Sequence, residues 1–156
     1  MNTLYNYEKD TLKHPFKGQS KVFQNYSQAY QDLFVLSMLK GKTKGKYVEV
    51  GANHPKNMSN TFLLETAFAW RGFSVEIEKS MCEVFNGDMS RQNHCYEADA
   101  TTFDYEAAIA KEKWQGRVDY FTVDCEPPQI TFKALKAFPH DKYRASVITF
   151  EHDSYK

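Results

Sequence analysis

The feature that most constrains this chain is the regular alternation of short strand-like runs with segments of helical spacing, starting at Ser27. Lys46–Val50 is the first such run and stops at Gly51; Phe73–Ile77, Asn93–Ala98, Val118–Val123 and Ala145–Phe150 follow. Val118–Val123 is the clearest strand, because β-branched and aromatic residues fit a pleated, buried surface. The intervening segments carry helix signals. Ser27 is the predicted N-cap of a helix whose Tyr30, Leu33, Phe34 and Leu36 cluster at helical spacing, with Gly41 and Gly45 ending it. A second helix is expected over Asn60–Trp70, with Gly72 as its C-terminal cap. Ser80 with Glu83 reads as a capping box for a third. Asp104 caps a fourth that runs to Trp114 and closes at Gly116, and Pro139 stops a fifth over Thr131–Ala137.

Strands joined by helices of about ten residues return to the same end of a sheet, so they pair in parallel through right-handed crossovers. The expected fold is therefore α/β, a doubly wound, mostly parallel sheet with helices on both faces. Ligands of such sheets sit beyond the carboxyl ends of the strands, where strand order reverses. In the common orders that point lies between the first and fourth strands, which directs attention to the residues after Val50 and after Val123.

The 156 residues suit one domain, with 1–26 as an N-terminal extension laid over a domain of residues 27–156. Twenty Lys and Arg balance twenty Asp and Glu, so the sum of charge gives no field for nucleic acid, and no nucleic-acid partner is expected from it. Cys82, Cys95 and Cys125 are odd in number and form no CxxC pair, which suits reduced thiols in the cytoplasm better than disulfides or zinc. The first residues lack a signal-type apolar core, and no apolar run is long enough to span a bilayer, so no membrane contact is expected.

Five places have residues suited to chemistry. Gly51, in Glu49-Val50-Gly51-Ala52-Asn53, allows a sharp turn and close approach of a ligand to backbone. A dinucleotide fingerprint needs a second glycine where Asn53 stands, which argues against a pyrophosphate cradle. Glu78, at the expected end of the second strand, has the position of an acid that accepts from ribose hydroxyls. Asp99, beside Ala100, follows the third strand. Asp124 and Glu126 follow the fourth, just before Pro127-Pro128, where a carboxylate pair at the switch point suits binding or base catalysis. Glu151-His152-Asp153 follows the fifth. His152 there is either a general base or, with Asp124 or Glu126, a ligand of a hard cation; the expectation is no metal. Cys125, with no histidine partner in view, reads as a small buried hydrophobe.

Taken in order, several pieces resemble the FkbM-type methyltransferases, a branch of the S-adenosylmethionine-dependent enzymes. They are Ser27-Gln28-Ala29-Tyr30-Gln31-Asp32-Leu33-Phe34-Val35, Tyr47-Val48-Glu49-Val50-Gly51-Ala52-Asn53, Ser59-Asn60-Thr61-Phe62-Leu63-Leu64-Glu65, Trp70-Arg71-Gly72-Phe73, Ile77-Glu78, Asp119-Tyr120-Phe121-Thr122-Val123-Asp124 and Ile148-Thr149-Phe150-Glu151-His152-Asp153. The resemblance implies a Rossmann-like sheet of order 3-2-1-4-5. It implies that Glu49, Gly51, Ala52 and Asn53 hold the methionine end of S-adenosylmethionine, that Glu78 binds its ribose and that Asp99 with Ala100 reads its adenine. Asp124 would stand near the transferred methyl group and Gln31 would help close the pocket. Two departures stand out. His54-Pro55 replaces the family's usual Asp-Gly, and family members continue past the fifth strand, so a C-terminally short form is expected.

The implied activity is methyl transfer to a hydroxyl oxygen of a small molecule, sugar or glycan. Alignment of donor and acceptor does most of that work, with Asp124, Glu126 and His152 as the candidates for any base. The rival readings are a non-catalytic, methyltransferase-like interaction module and a nicotinamide-dependent oxidoreductase.

Overall fold

The computed structural model describes residues 15–152. His14, Asp153 and the first part of the N-terminal extension lie outside the described residues. Five strands, β1 (Lys46–Val50), β2 (Arg71–Glu76), β3 (His94–Glu97), β4 (Arg117–Val123) and β5 (Arg144–Phe150), form one all-parallel sheet of order β3-β2-β1-β4-β5. Between and before them lie α1 (Gln31–Met38), α2 (Phe62–Phe68), α3 (Lys79–Gly87), α4 (Tyr105–Lys111) and α5 (Pro128–Ala137). This is the doubly wound, Rossmann-like architecture the alternation predicts.

The central strand shows why the sheet needs cover on both faces. Tyr47, Val48, Glu49 and Val50 are all buried, so residues of both parities are shielded. On one face Tyr47, Tyr120 and Val147 pack with Leu33, Val35 and Leu36 of α1 and Leu63, Leu64 and Phe68 of α2. Farther along this face Cys82 and Phe85 of α3 meet Cys95 of β3. On the other face Val48, Val50, Phe73, Val75 and Phe121 pack with Tyr105, Ala108 and Ile109 of α4 and Ala134 of α5. Phe121 and Phe138 stack there at 4.4 Å between ring centroids. Of the extension, Phe16 and Val22 are buried against the α1–α2 layer, and Phe16 meets Phe68 edge to face.

Three helix boundaries differ from the expectation. Ser27 is not the N-cap of α1; Tyr30 takes that position at φ 61°. Ser27 instead exchanges hydrogen bonds with Asp32, donating through its hydroxyl at 2.5 Å and accepting from the Asp32 amide at 3.1 Å. Asp32 also accepts from the Tyr26 amide, which fixes the loop before α1. Gly72 does not cap α2: Ala69 does so at φ 55°, and Gly72 is paired inside β2 with Tyr47. A Cβ at Gly72 would lie 2.3 Å from the Tyr47 carbonyl oxygen, so this glycine permits close strand contact. The Ser80–Glu83 capping box is also absent: α3 starts at Lys79, and Ser80 donates to Glu78 instead. Asp104 does cap α4, accepting from the Ala107 amide.

Among the described residues no helix is long and apolar enough to cross a membrane. The three cysteines are free.

Candidate functional site

The site is built where β1, β2 and β4 end. Ladder hydrogen bonds continue one residue past the strands: Gly51 N–H donates to Val75 O at 3.0 Å, and Asp124 N–H to Val50 O at 2.9 Å. Gly51 therefore sits between the chains leaving β2 and β4. Its φ is +79°, and a Cβ would lie 1.7 Å from the Asp124 carbonyl oxygen. The residue must be glycine, and the immediate reason is backbone: the turn after β1 rests on the turn after β4.

Glu76, the last residue of β2, is the acid that meets this turn. Its carboxylate accepts from the Asn53 amide at 2.8 Å and from the Glu78 amide at 2.9 Å. Asn53 itself is held at φ 47°. An ionised carboxylate has about four acceptor positions, so two backbone donors leave room for two more. The sequence pattern places the end of the second strand at Glu78, whereas β2 ends two residues earlier, at Glu76. Glu78 is exposed at the N-cap of α3 and accepts from the Ser80 hydroxyl. Glu76 is buried while Ile77 beyond it is 71% exposed, and no local signal in the sequence separates Glu76 from Glu78.

A cleft lies beside this turn at the ends of β4 and β5. It is an open cleft of about 160 Å³, lined by Gln31, Asn60, Thr122, Asp124, Thr149 and His152, among others. Gln31 is set by its side chain accepting from the Ala29 amide at 2.8 Å. The loop carrying Ala29 is tied to the loop carrying Asn60 by a bridge between Ser27 and Met58. Below the opening runs a polar line: Tyr120 hydroxyl to Thr149, Thr149 to Thr122 at 3.0 Å, and the Asn60 amide nitrogen to Thr122 at 3.1 Å. Asn60 Oδ1 is buried with no partner among the described residues. Asn60, Thr122 and Thr149 were not singled out from sequence, since hydroxyls and amides on strands and loops give no spacing signal. Asp124 belongs to both halves, with its backbone against Gly51 and its residue in the cleft wall.

Other expected residues stand elsewhere. Glu49 is buried on the α2 face, accepting from Thr61 at 2.9 Å and Ser74 at 2.7 Å, with the Arg91 guanidinium 3.8 Å away. Burial pushes its carboxyl above the ordinary range, against the pull of Arg91. All three of these contacts are made by its Oε2. Arg91, missed from sequence, also bridges to Glu65 and donates to the Pro55 carbonyl and Thr61 hydroxyl, so it pins the loop after Gly51 to the core. Ala52 is buried with Cys82, Phe85 and Cys95.

Asp99 is exposed after β3 and accepts from the Thr101 amide and hydroxyl; the amide bond is the larger reason its pKa is lowered. The Ala100 carbonyl accepts from the Tyr105 hydroxyl at 2.8 Å. Glu126 is exposed, precedes a cis proline bond and is not part of the cleft wall. Burial raises the Cys125 thiol, which keeps it protonated beside the α5 layer. Among the described residues no three His, Cys, Asp or Glu side chains converge as a metal site.

No protein-family model matches the chain, and no curated protein matches it.

Proposed function

We propose that the chain is an S-adenosylmethionine-dependent methyltransferase of FkbM type, acting on a hydroxyl of a small molecule, sugar or glycan in the cytoplasm. The observation that carries this reading is a glycine turn at the switch point with a carboxylate-bearing residue on each side, Glu76 closing β2 and Asp124 following β4. Such surroundings attract a ligand of net positive charge and repel a pyrophosphate. A dinucleotide also needs a helix N-terminus at the glycine turn, and α2 begins only at Phe62, after a long loop. Both points favour the methyl donor over the nicotinamide rival.

When bound, S-adenosylmethionine supplies an electrophilic methyl group on a positively charged sulfur. The residues of this chain divide the remaining work. Glu76 has acceptor capacity for both ribose hydroxyls while Asn53 and Glu78 amides hold it in place. Gly51 lets the turn after β1 rest on the turn after β4, which brings Asp124 beside the donor's place, and Arg91 keeps the following loop from drifting. The cleft of Gln31, Asn60, Thr122 and Thr149 suits a hydroxylic acceptor, with Asp124 or His152 in reach of its proton. Glu126, outside the cleft wall, is the weakest of the three base candidates. The reduced thiols fit a cytoplasmic setting.

Calorimetric titration with S-adenosylhomocysteine tests the reading. The folded chain should bind it; Glu76→Gln should weaken binding at least tenfold, and Glu78→Gln should leave it unchanged. A folded wild-type chain that takes up no S-adenosylhomocysteine would overturn the assignment.

A further inference from the structure

The amino ends of the same strands carry a second pattern. β1, β2, β4 and β5 start on Lys46, Arg71, Arg117 and Arg144. The chain has one other arginine, Arg91, and it is buried; all three exposed arginines therefore stand first in a strand. Parallel pairing sets like charge beside like, Lys46 opposite Arg71 and Arg117 opposite Arg144. Neighbouring strands lie about 4.8 Å apart, a separation at which like charges in register destabilise a sheet. Lys44, in the turn before β1, and Lys113, in the turn before β4, are exposed at the same end.

Among the described residues none of Lys44, Arg71, Lys113, Arg117 or Arg144 forms an ion pair. Two of the acids at this end serve other lysines: buried Asp119 takes Lys42 at 2.5 Å, and Glu106 takes Lys142 at 2.6 Å. Glu112 and Asp141, in neighbouring turns, pair with none of the five. The half-buried Trp114 stands beside the row, with the Lys46 ammonium 5.9 Å from its centroid.

From this arrangement we infer that the amino end of the sheet binds the phosphate backbone of a single-stranded nucleic acid. Guanidinium forks match phosphate oxygens bidentately, and a cationic track beside an aromatic ring is how such strands are held without sequence preference. A lipid surface fits less well, because the cation-bearing strand starts and the turns 42–46 and 111–117 carry no exposed large apolar side chain to insert; exposed Met89 stands in the turn before β3, the one strand without a basic start. The surface lies at the opposite end of the sheet from the cleft, so the nucleic acid is a partner and not the methyl acceptor.

Fluorescence anisotropy of labelled oligouridylate and oligothymidylate with the full chain tests this. Binding should weaken with salt at a log–log slope of about −2 to −3, the value for three or four neutralised phosphates on a single strand. Arg117→Glu combined with Arg144→Glu should weaken it at least tenfold with the circular dichroism spectrum and melting temperature held. Lys79→Glu combined with Lys133→Glu, the same charge change at the carboxyl end, should leave it within twofold. Absence of binding at low salt by the folded chain overturns the inference, as does equal loss in both double variants. Capture by phosphatidylserine vesicles with no oligonucleotide binding overturns it too, and assigns the surface to a membrane.

Discussion

The two ends of this sheet are built from the same five strands and differ in both charge and construction. At the carboxyl end β2 and β3 close on Glu76 and Glu97, and Asp124 and Glu151 follow β4 and β5; at the amino end four strands open on Lys or Arg. The carboxyl end is interlocked through backbone, with Gly51 against Asp124 and Asn53 against Glu76. The amino end is a row of exposed side chains on plain strand starts. A parallel sheet is the cause of the segregation, since it gathers every strand start at one end. An antiparallel sheet of the same strands would mix the two sets. Net neutrality thus conceals a molecule with a basic and an acidic pole.

The sharpest way to break the comparison is at the interlock. Gly51→Ala should cost about 2–5 kcal/mol, from left-handed strain of about 1–2 kcal/mol and overpacking of about 1–3 kcal/mol against the Asp124 carbonyl. Urea unfolding measures this, and a loss under about 1 kcal/mol would mean that the two turns can part. Next comes Arg91→Met, which leaves Glu49 and Glu65 buried without their cation and should cost about 3–5 kcal/mol. Reversal at the amino pole should be far milder: Arg117→Glu with Arg144→Glu is expected to change stability by no more than about 0.5 kcal/mol in either direction, as for exposed sites. A large loss there would show that the row is structural.

The smallest effect is one of pH. The Glu49 carboxyl is raised above 4.5 in the folded state by burial, so the folded chain holds this proton more tightly than the unfolded one. Its contribution to stability is full below pH 4.5 and fades as pH rises through the raised value. Glu49→Gln removes that dependence, so the variant should gain on the wild type as pH climbs above 4.5. Parallel stability curves for the two proteins across that range would refute the assignment of a retained proton.

The order of elements and the switch point were legible because a buried parallel strand must be apolar over its length and because its helices repeat. The glycine after β1 was legible for the same reason. Glu76 was not, since two acids at i and i+2 share one face and only the end of pairing, Glu76 with Glu97, tells which one closes the strand. Nor was the interior role of Glu49, whose partners Thr61, Ser74 and Arg91 come from three separate segments. Ser27 kept its hydrogen-bonding role but shifted its partner to Asp32, because the loop before α1 folds back to meet Met58.

By itself, then, the sequence determined the fold class, the strands and the switch point of the sheet, because each follows from local periodicity and from the length of the crossovers. Only the tertiary structure decided which acid faces the Gly51 turn, what fills the space a side chain would take there, and that the strand starts form one basic edge. Those facts depend on register and on contacts between residues distant in sequence, which no local pattern records.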